Sequence, residues 1–286
     1  MKKHNWWGPV LLAPAVFLLT YFYILPFLYA LRLSFYDVGF AKDTWLGLEN
    51  FRCFLTRGGW IASLRVSGKF LVTVLFVNLI IAYILALALR QFSERFCGMI
   101  LTLYYIPSIF AGIVAVAVWR WFYRYPDGAL NNLLEFLHLP TISWLGTPLT
   151  APWALGFLMI GSMFSFSTLL YVAAIGQIDP GILGAAKIDG ANEWQLIRYI
   201  ITPLTHRVRL YITLINTIGA LSIWEHPFFY TGGGPIGSTT TVFLRVYQEA
   251  FDRNNIGLGS AMTAVTTAFI LILAIFGVKY FKEYLG

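Results

Sequence analysis

Charged residues interrupt an otherwise apolar chain only at wide intervals. Marking every Asp, Glu, Lys and Arg leaves six long uncharged windows, at 4–31, 70–89, 96–119, 136–178, 210–224 and 254–278. A bilayer core about 30 Å thick takes roughly 20 helical residues to cross, and five windows meet that length as they stand. In the longest, Pro140, Gly146, Pro148 and Pro152 mark the first part as loop, so one span fits over about 152–175. The 210–224 window is too short alone. A crossing helix there has to run over about 208–230 and take Glu225 into its far end. The pattern predicts an all-α polytopic membrane protein with six transmembrane helices, over about 10–33, 68–90, 97–120, 152–175, 208–230 and 257–280, in one domain covering 1–286.

The first window follows Lys2 and Lys3, as a signal peptide would. Its apolar stretch from Val10 to Leu33 exceeds the usual 7–15-residue signal core, and no small-x-small cleavage site follows, so an uncleaved span is expected. Pro14 and Pro26 predict bends within it.

Composition agrees. Of 286 residues 58% are hydrophobic, 17% aromatic and 12% charged, against roughly 25% charged in a soluble domain. A solvated globule and a disordered chain are both excluded. Six spans place both termini on one side, with the loops near 90–96 and 176–209. The Lys and Arg residues then divide ten and ten, more densely on the terminus side, which leans towards cytoplasmic termini. A net charge of +7 split between two faces gives no basic stripe for nucleic acid, and membrane lipid is the expected counter-charge. Cys53 and Cys97 fall on opposite sides in this topology, so a disulfide between them is not expected.

A search for chemistry finds little. Gly232-Gly233-Gly234-Pro235-Ile236-Gly237-Ser238-Thr239 has the glycine spacing of a phosphate loop. Ser238 occupies the lysine position, and no strand precedes the run, so it reads as a turn-rich loop. His4, His138, His206 and His226 have no metal spacing. Glu225 and His226 are adjacent and point about 100° apart on a helix. Gly257-Leu258-Gly259-Ser260-Ala261 lacks the order of an intramembrane serine protease, and its small residues suit close helix packing. No catalytic residue and no metal site is expected. Asn78, Ser162, Ser165, Ser167, Thr168, Asn216, Thr217 and Ser222 fall inside spans, where interhelical hydrogen bonding accounts for them. Glu225 differs, because a carboxylate near hydrocarbon is costly and marks a functional position by default.

The longest loop on the terminus side, 177–207, has its own architecture. Asp179-Pro180 starts a short helix to about Ile188, with an oxygen cap followed by a residue preset for the first turn. Gly190 allows a turn, Asp189 can cap again, and a second helix runs from Ala191 to Thr202, before Pro203. This helix–turn–helix exceeds an ordinary 2–8-residue connector and carries Ile182, Leu183, Ala186 and Ile188 on its first arm, so it is suited to docking.

That loop resembles the EAA motif of permease subunits in binding-protein-dependent ABC importers: Glu-Ala-Ala, two residues, Asp-Gly-Ala, then eight residues to Ile-x-Leu-Pro. Ala185, Ala186, Asp189, Gly190, Ala191, Ile200 and Pro203 match, with Gly184 in place of the glutamate and Thr202 in place of the leucine. Leu46-Gly47-Leu48-Glu49-Asn50-Phe51, the segment from Pro107 to Phe122, Thr231 to Pro235, Tyr247 to Phe251, and Gly257 to Ala261 follow in the order of the carbohydrate-uptake branch, the maltose and glycerol-phosphate type.

The resemblance implies that 177–207 is a cytoplasmic coupling loop seated in a separate ATPase dimer, with Gly184, Ala185, Ala186, Asp189, Gly190, Ala191 and Pro203 in the contact. It implies cytoplasmic termini in a bacterial or archaeal inner membrane. ATP and Mg are expected on the partner ATPase and no cofactor on this chain, which is itself no enzyme. A second homologous permease would supply the other half of the path, and an extracytoplasmic sugar-binding protein would deliver a sugar, oligosaccharide or polyol. By the same analogy Ser108, Gly112, Asn216, Gly219 and Glu225 line the substrate path. An ATP-independent secondary transporter or channel subunit is the alternative.

Overall fold

A computed structural model describes residues 7–39, 43–56, 59–109 and 112–283. Among the described residues it is mostly helical, with one short hairpin. The chain divides into two compact units, residues 1–60 with 245–271 and residues 61–244 with 272–286.

In the first unit, α1 (Trp7–Leu19) and α2 (Leu25–Leu33) are joined by a π-helical turn, Thr20–Ile24. The uninterrupted run Val10–Leu33 has 24 residues, a mean hydropathy of 2.1 and none of them buried within this chain. It ends in an antiparallel pair, β1 (Tyr36–Asp37) with β2 (Thr44–Trp45), and then α3 (Glu49–Thr56). Asn50 on α3 is buried and donates to the carbonyls of Ser34 at 3.0 Å and Tyr36 at 2.9 Å, so one side chain ties the helix end, the hairpin and α3 together.

The second unit holds most of the remaining helices: α4 (Trp60–Phe76) and α5 (Ala82–Leu89) joined by a π turn at Val77–Ile81, α6 (Glu94–Ile109), α7 (Gly112–Phe122), α8 (Ala129–Phe136) and α9 (Ala151–Gly176). After these come α10 (Pro180–Ile188), α11 (Glu193–Leu196), α12 (Thr202–Leu204), α13 (His206–Ser222), α14 (Glu225–Thr231) and α15 (Val242–Tyr247), which leads out of this unit. α16 (Ile256–Glu283) closes the chain.

Several helices can cross a bilayer on length and composition. Besides Val10–Leu33 these are Trp60–Leu89, with 30 residues and a mean hydropathy of 2.7, and Ile256–Lys279, with 24 residues and 2.3. α9 has 26 residues and no acidic or basic side chain. The helix carrying the second window begins at Trp60, ahead of the expected 68, so Arg65 and Lys69 lie in its first turns. The expected span 97–120 corresponds to α6 and α7, between which residues 110–111 lie outside the described residues.

Two buried clusters follow one another along the same helices. One contains Val66, Phe70 and Val74 of α4 with Leu155 and Leu158 of α9 and Ala220 of α13. The other contains Ala82 and Ala86 of α5 with Tyr171 and Ile175 of α9, Ile201 and Ile212. The connector between α7 and α9 is organised by fully buried Asn131. Its amide donates to the carbonyls of Arg124 (3.2 Å) and Ile142 (3.1 Å), and its oxygen accepts from the Ile142 amide (2.9 Å) and Trp144 Nε1 (3.2 Å). Nearby, Arg124 forks onto Asp127 at 2.9 and 2.5 Å and holds that carboxyl below the usual carboxylate range.

Candidate functional site

The loop after α9 forms two capped helices. The end of α9 and α10 meet at a bend of 67°. Asp179 opens α10: its Oδ1 accepts the Gly181 amide at 2.8 Å, satisfying one of the donors a helix start leaves free. α10 ends where Gly190 takes φ +86, and the amides of Gly190 and Ala191 return to the carbonyls of Lys187 (3.1 Å) and Ala186 (2.9 Å). A left-handed residue just past the last turn is the usual glycine stop.

The expected short helix and its turn are therefore present. The second cap is not at Asp189. Asn192 caps α11, accepting from the Gln195 amide at 2.8 Å while Gln195 Oε1 accepts the Asn192 amide at 2.8 Å. This reciprocal box satisfies two orphan donors, and it was legible as Asn192-x-x-Gln195. The run then passes through a π turn at Ile197–Ile201 into α12 and ends at Thr205, so Pro203 lies inside it, at the start of α12, and does not end it at Thr202. A proline cannot donate within the ladder, and the wider π turn just ahead of it is a common accommodation.

Large apolar side chains stand outward on this pair among exposed charged and polar ones. Ile182, Ile188, Trp194 and Tyr199 are all exposed, Ile188 to 89%. Gly184, Ala185, Asp189 and Gly190 are exposed as well, while Ala186 and Ala191 are half-buried. A methyl group built on Gly184 meets nothing within 4 Å. The underside is different. Leu196 and Ile201 are fully buried, and Tyr83 of α5 and Thr202 share a hydroxyl hydrogen bond of 2.8 Å. Glu193 pairs with Arg90, the C-cap of α5, and lies 3.4 Å from Lys187. Nothing local in the sequence pointed to Arg90, which is 103 positions away.

Of the residues expected to line a path, Asn216, Gly219 and Glu225 are the ones whose side-chain surroundings are described. Asn216 is buried in the seam of α13 with α9, donating to Ser167 Oγ at 3.2 Å and to the Ile212 carbonyl at 2.9 Å. Gly219 is half-buried one turn further on. Ser108 and Gly112 fall in α6 and α7, but the Ser108 side chain and the surroundings of Gly112 lie outside the described residues.

Glu225 is exposed, and the helix does not run through it to 230 as expected. α13 stops at Ser222, Ile223 turns extended, and α14 restarts at Glu225. Pro227 is the physical reason: in an unbroken helix its ring would strike the carbonyl four residues back, at Ile223. That freed carbonyl is taken by Thr241 Oγ1 at 2.7 Å. At the other end of α14, Arg120 donates to the Phe229 carbonyl at 2.8 Å.

The glycine-rich run is a folded turn, as its sequence suggested. Gly233, Gly234, Ser238 and Thr239 each donate their amide to a carbonyl within the segment 227–235. Thr239 and Thr240 close the loop on the Gly234 and Gly233 carbonyls at 2.8 and 3.0 Å. A phosphate cradle needs those amides free. Among the described residues no cluster of His, Cys, Asp or Glu could hold a metal ion.

Known proteins resemble this chain over nearly its whole length. The trehalose/maltose transport system permease protein MalF of Thermococcus litoralis is 29% identical over 279 residues, covering 96% of this chain and 92% of that protein. A bacterial ABC transporter involved in the import of the acidic polysaccharide alginate superposes with a TM-score of 0.87 at 19% identity, over 98% of this chain and 96% of that one. A bacterial alginate ABC transporter in complex with an alginate pentasaccharide-bound periplasmic protein gives 0.83 at 19% identity, over 96% and 93%. These structures share the fold. The family profile matches residues 78–284. This multi-pass chain belongs to the binding-protein-dependent transport system inner membrane component family.

Proposed function

We propose that the chain is the permease subunit of an ATP-driven importer of a sugar, oligosaccharide or polyol, forming half of the path and docking a separate ATPase dimer through α10 and α11. The observation that carries the reading is the helix pair itself. Its backbone is fully capped while Ile182, Ile188, Trp194 and Tyr199 stand exposed, so the pair is ordered and lacks only something to cover it. Apolar groups gain by leaving water, at about 25 cal/mol per Å². The trehalose and maltose carried by the relative's transport system and the alginate of the structural neighbours support a carbohydrate cargo.

In this reading the six spans are the two long helical runs before Arg90, α6 with α7, α9, α13 with α14, and α16. The coupling loop 177–207 and both termini face the cytoplasm. ATP and Mg sit on the partner, and a homologous permease and an extracytoplasmic binding protein complete the assembly. The contact residues are Gly184, Ala185, Ala186, Asp189, Gly190, Ala191 and Pro203, and Ser108, Gly112, Asn216, Gly219 and Glu225 belong to the path.

The reading is tested by isolating the tagged chain from native membranes in mild detergent. A second six-helix chain and a nucleotide-binding subunit should accompany it, with ATP hydrolysis stimulated by a sugar-loaded binding protein. Arrival alone and without hydrolysis, in detergents that keep known importers intact, would transfer the assignment to an ATP-independent transporter.

Two variants probe single residues. Gly184→Glu should leave assembly and uptake at the parent level, because the space beyond Gly184 is open. A complex that falls apart on that change would refute the motif register. Glu225→Gln should lower uptake with the assembly intact, through loss of a carboxylate at the break between α13 and α14. Unchanged uptake removes Glu225 from the path.

A further inference from the structure

We propose that Arg90, Glu193 and Lys187 form a charge clasp through which movement of the α10–α11 pair reaches the membrane span ending at Arg90. The inference rests on the coupling role just proposed for that pair.

α10 is held to the body by little apolar packing. Leu183 is its side chain against the buried cluster around Tyr171, Ile175 and Ile178, whereas Ile182 and Ile188 face outward. Beneath it lies a cavity of about 620 Å³, lined among others by Leu89, Arg90, Cys97, Ile175, Leu183 and Glu193. Cavity walls lose the dispersion contacts that would make two helices move as one body. Beside the Tyr83–Thr202 hydrogen bond further along the loop, the polar connection across this gap is ionic. Glu193 pairs with Arg90 from the side of α5, and with Lys187 at 3.4 Å from the last turn of α10.

The two ends of the clasp are rigid. Arg90 caps α5, its amide bonded to the Ala86 carbonyl at 3.2 Å, and it terminates the uninterrupted helix from Trp60 to Leu89. Glu193 is the first residue of α11, fixed by the Asn192–Gln195 box. The Arg90 side chain is only 17% exposed, against 61% for Glu193 and 60% for Lys187. An arginine largely withdrawn from water depends on its carboxylate more than a surface pair does, because removing the partner leaves the charge uncompensated.

Arg90 and Glu193 are thus positioning residues, and the readout is substrate imported per ATP hydrolysed. This is measured in the full importer reconstituted with its partner chains and binding protein. Arg90→Gln and Glu193→Gln are each expected to lower that ratio about fivefold or more with the complex intact. Exchanging all three charges, Arg90→Glu with Glu193→Arg and Lys187→Glu, keeps both ion pairs and should recover most of it, which a merely structural loss would not. Glu193 is exposed, so its variant is informative even if Arg90→Gln fails to accumulate. A parent-like ratio in Glu193→Gln, or the three-charge exchange no better than the single changes, overturns the clasp. Asp189→Lys, run alongside, separates the two ideas: if it impairs uptake while the clasp variants do not, the coupling loop stands and the clasp falls. If all are silent, the coupling reading falls with it.

Discussion

Asp189→Lys is expected to abolish uptake in the assembled importer while the chain still inserts, folds and co-purifies. The structure makes this charge reversal unusually easy to interpret. Asp189 is the C-cap of α10, exposed, and it stands at the negative end of the helix dipole. An aspartate there is unfavourable to the helix, and a lysine would be favourable by roughly 0.3–1 kcal/mol. The change therefore cannot act by melting α10, and thermal unfolding of the variant should match or exceed the parent. Any loss must come from what the exposed face meets, where the new lysine would stand beside Lys187 as a second positive charge in place of an acid. Uptake and ATP hydrolysis are measured together in proteoliposomes. Hydrolysis that persists or becomes independent of the binding protein, with no uptake, is the expected result. Parent-like uptake would remove 177–207 from the coupling role.

Charge spacing carried much of the architecture. The uncharged windows located the long helices because hydrocarbon tolerates few ionised side chains, and the Asp179-Pro180 start of α10 and the Gly190 stop were legible because caps are local chemistry. Asn192-x-x-Gln195 was equally local and would have placed the second cap correctly. The break at Ile223–Trp224 was signalled by Pro227, but a hydropathy window counts a proline among tolerated membrane residues, and only the Thr241 hydroxyl shows how the freed carbonyl is satisfied. Long-range partners were illegible for a different reason. Arg90 with Glu193, Asn216 with Ser167, and Thr241 with Ile223 are set by packing of distant segments, for which one sequence holds no record. The path residues were chosen by analogy, whereas the donation of Asn216 to Ser167 across helices is what the interhelical reading of polar membrane residues anticipates.

Gly257→Ala is expected to destabilise the first unit severely, and the reason joins two runs that looked unrelated along the chain. Leu46–Phe51 and Gly257–Ala261 are separated by some two hundred residues, yet both converge on the Tyr36 carbonyl. Asn50 donates to it at 2.9 Å, and a methyl group on Gly257 would lie 2.0 Å from that oxygen and 3.1 Å from Asn50 Nδ2. Backbone cannot yield as a flexible side-chain tip does. Either the start of α16 moves away, or the hairpin shifts and Asn50, only 7% exposed, loses its acceptors. Overpacking costs typically 1–3 kcal/mol, and a buried amide left unpaired roughly 1–3 more. Gly259 reinforces the point, since its added methyl would meet the Ala250 Cβ at 2.7 Å. The small residues at the start of α16 thus serve close approach and not catalysis. Gly68→Ala is the matched control: nothing lies within 4 Å of its added methyl, so the helix-propensity gain of about 0.8–1 kcal/mol should appear alone. Unfolding monitored in detergent should show Gly257→Ala below the parent and Gly68→Ala at or above it. Equal stability of Gly257→Ala and the parent would mean that α16 does not pass against the Tyr36 carbonyl.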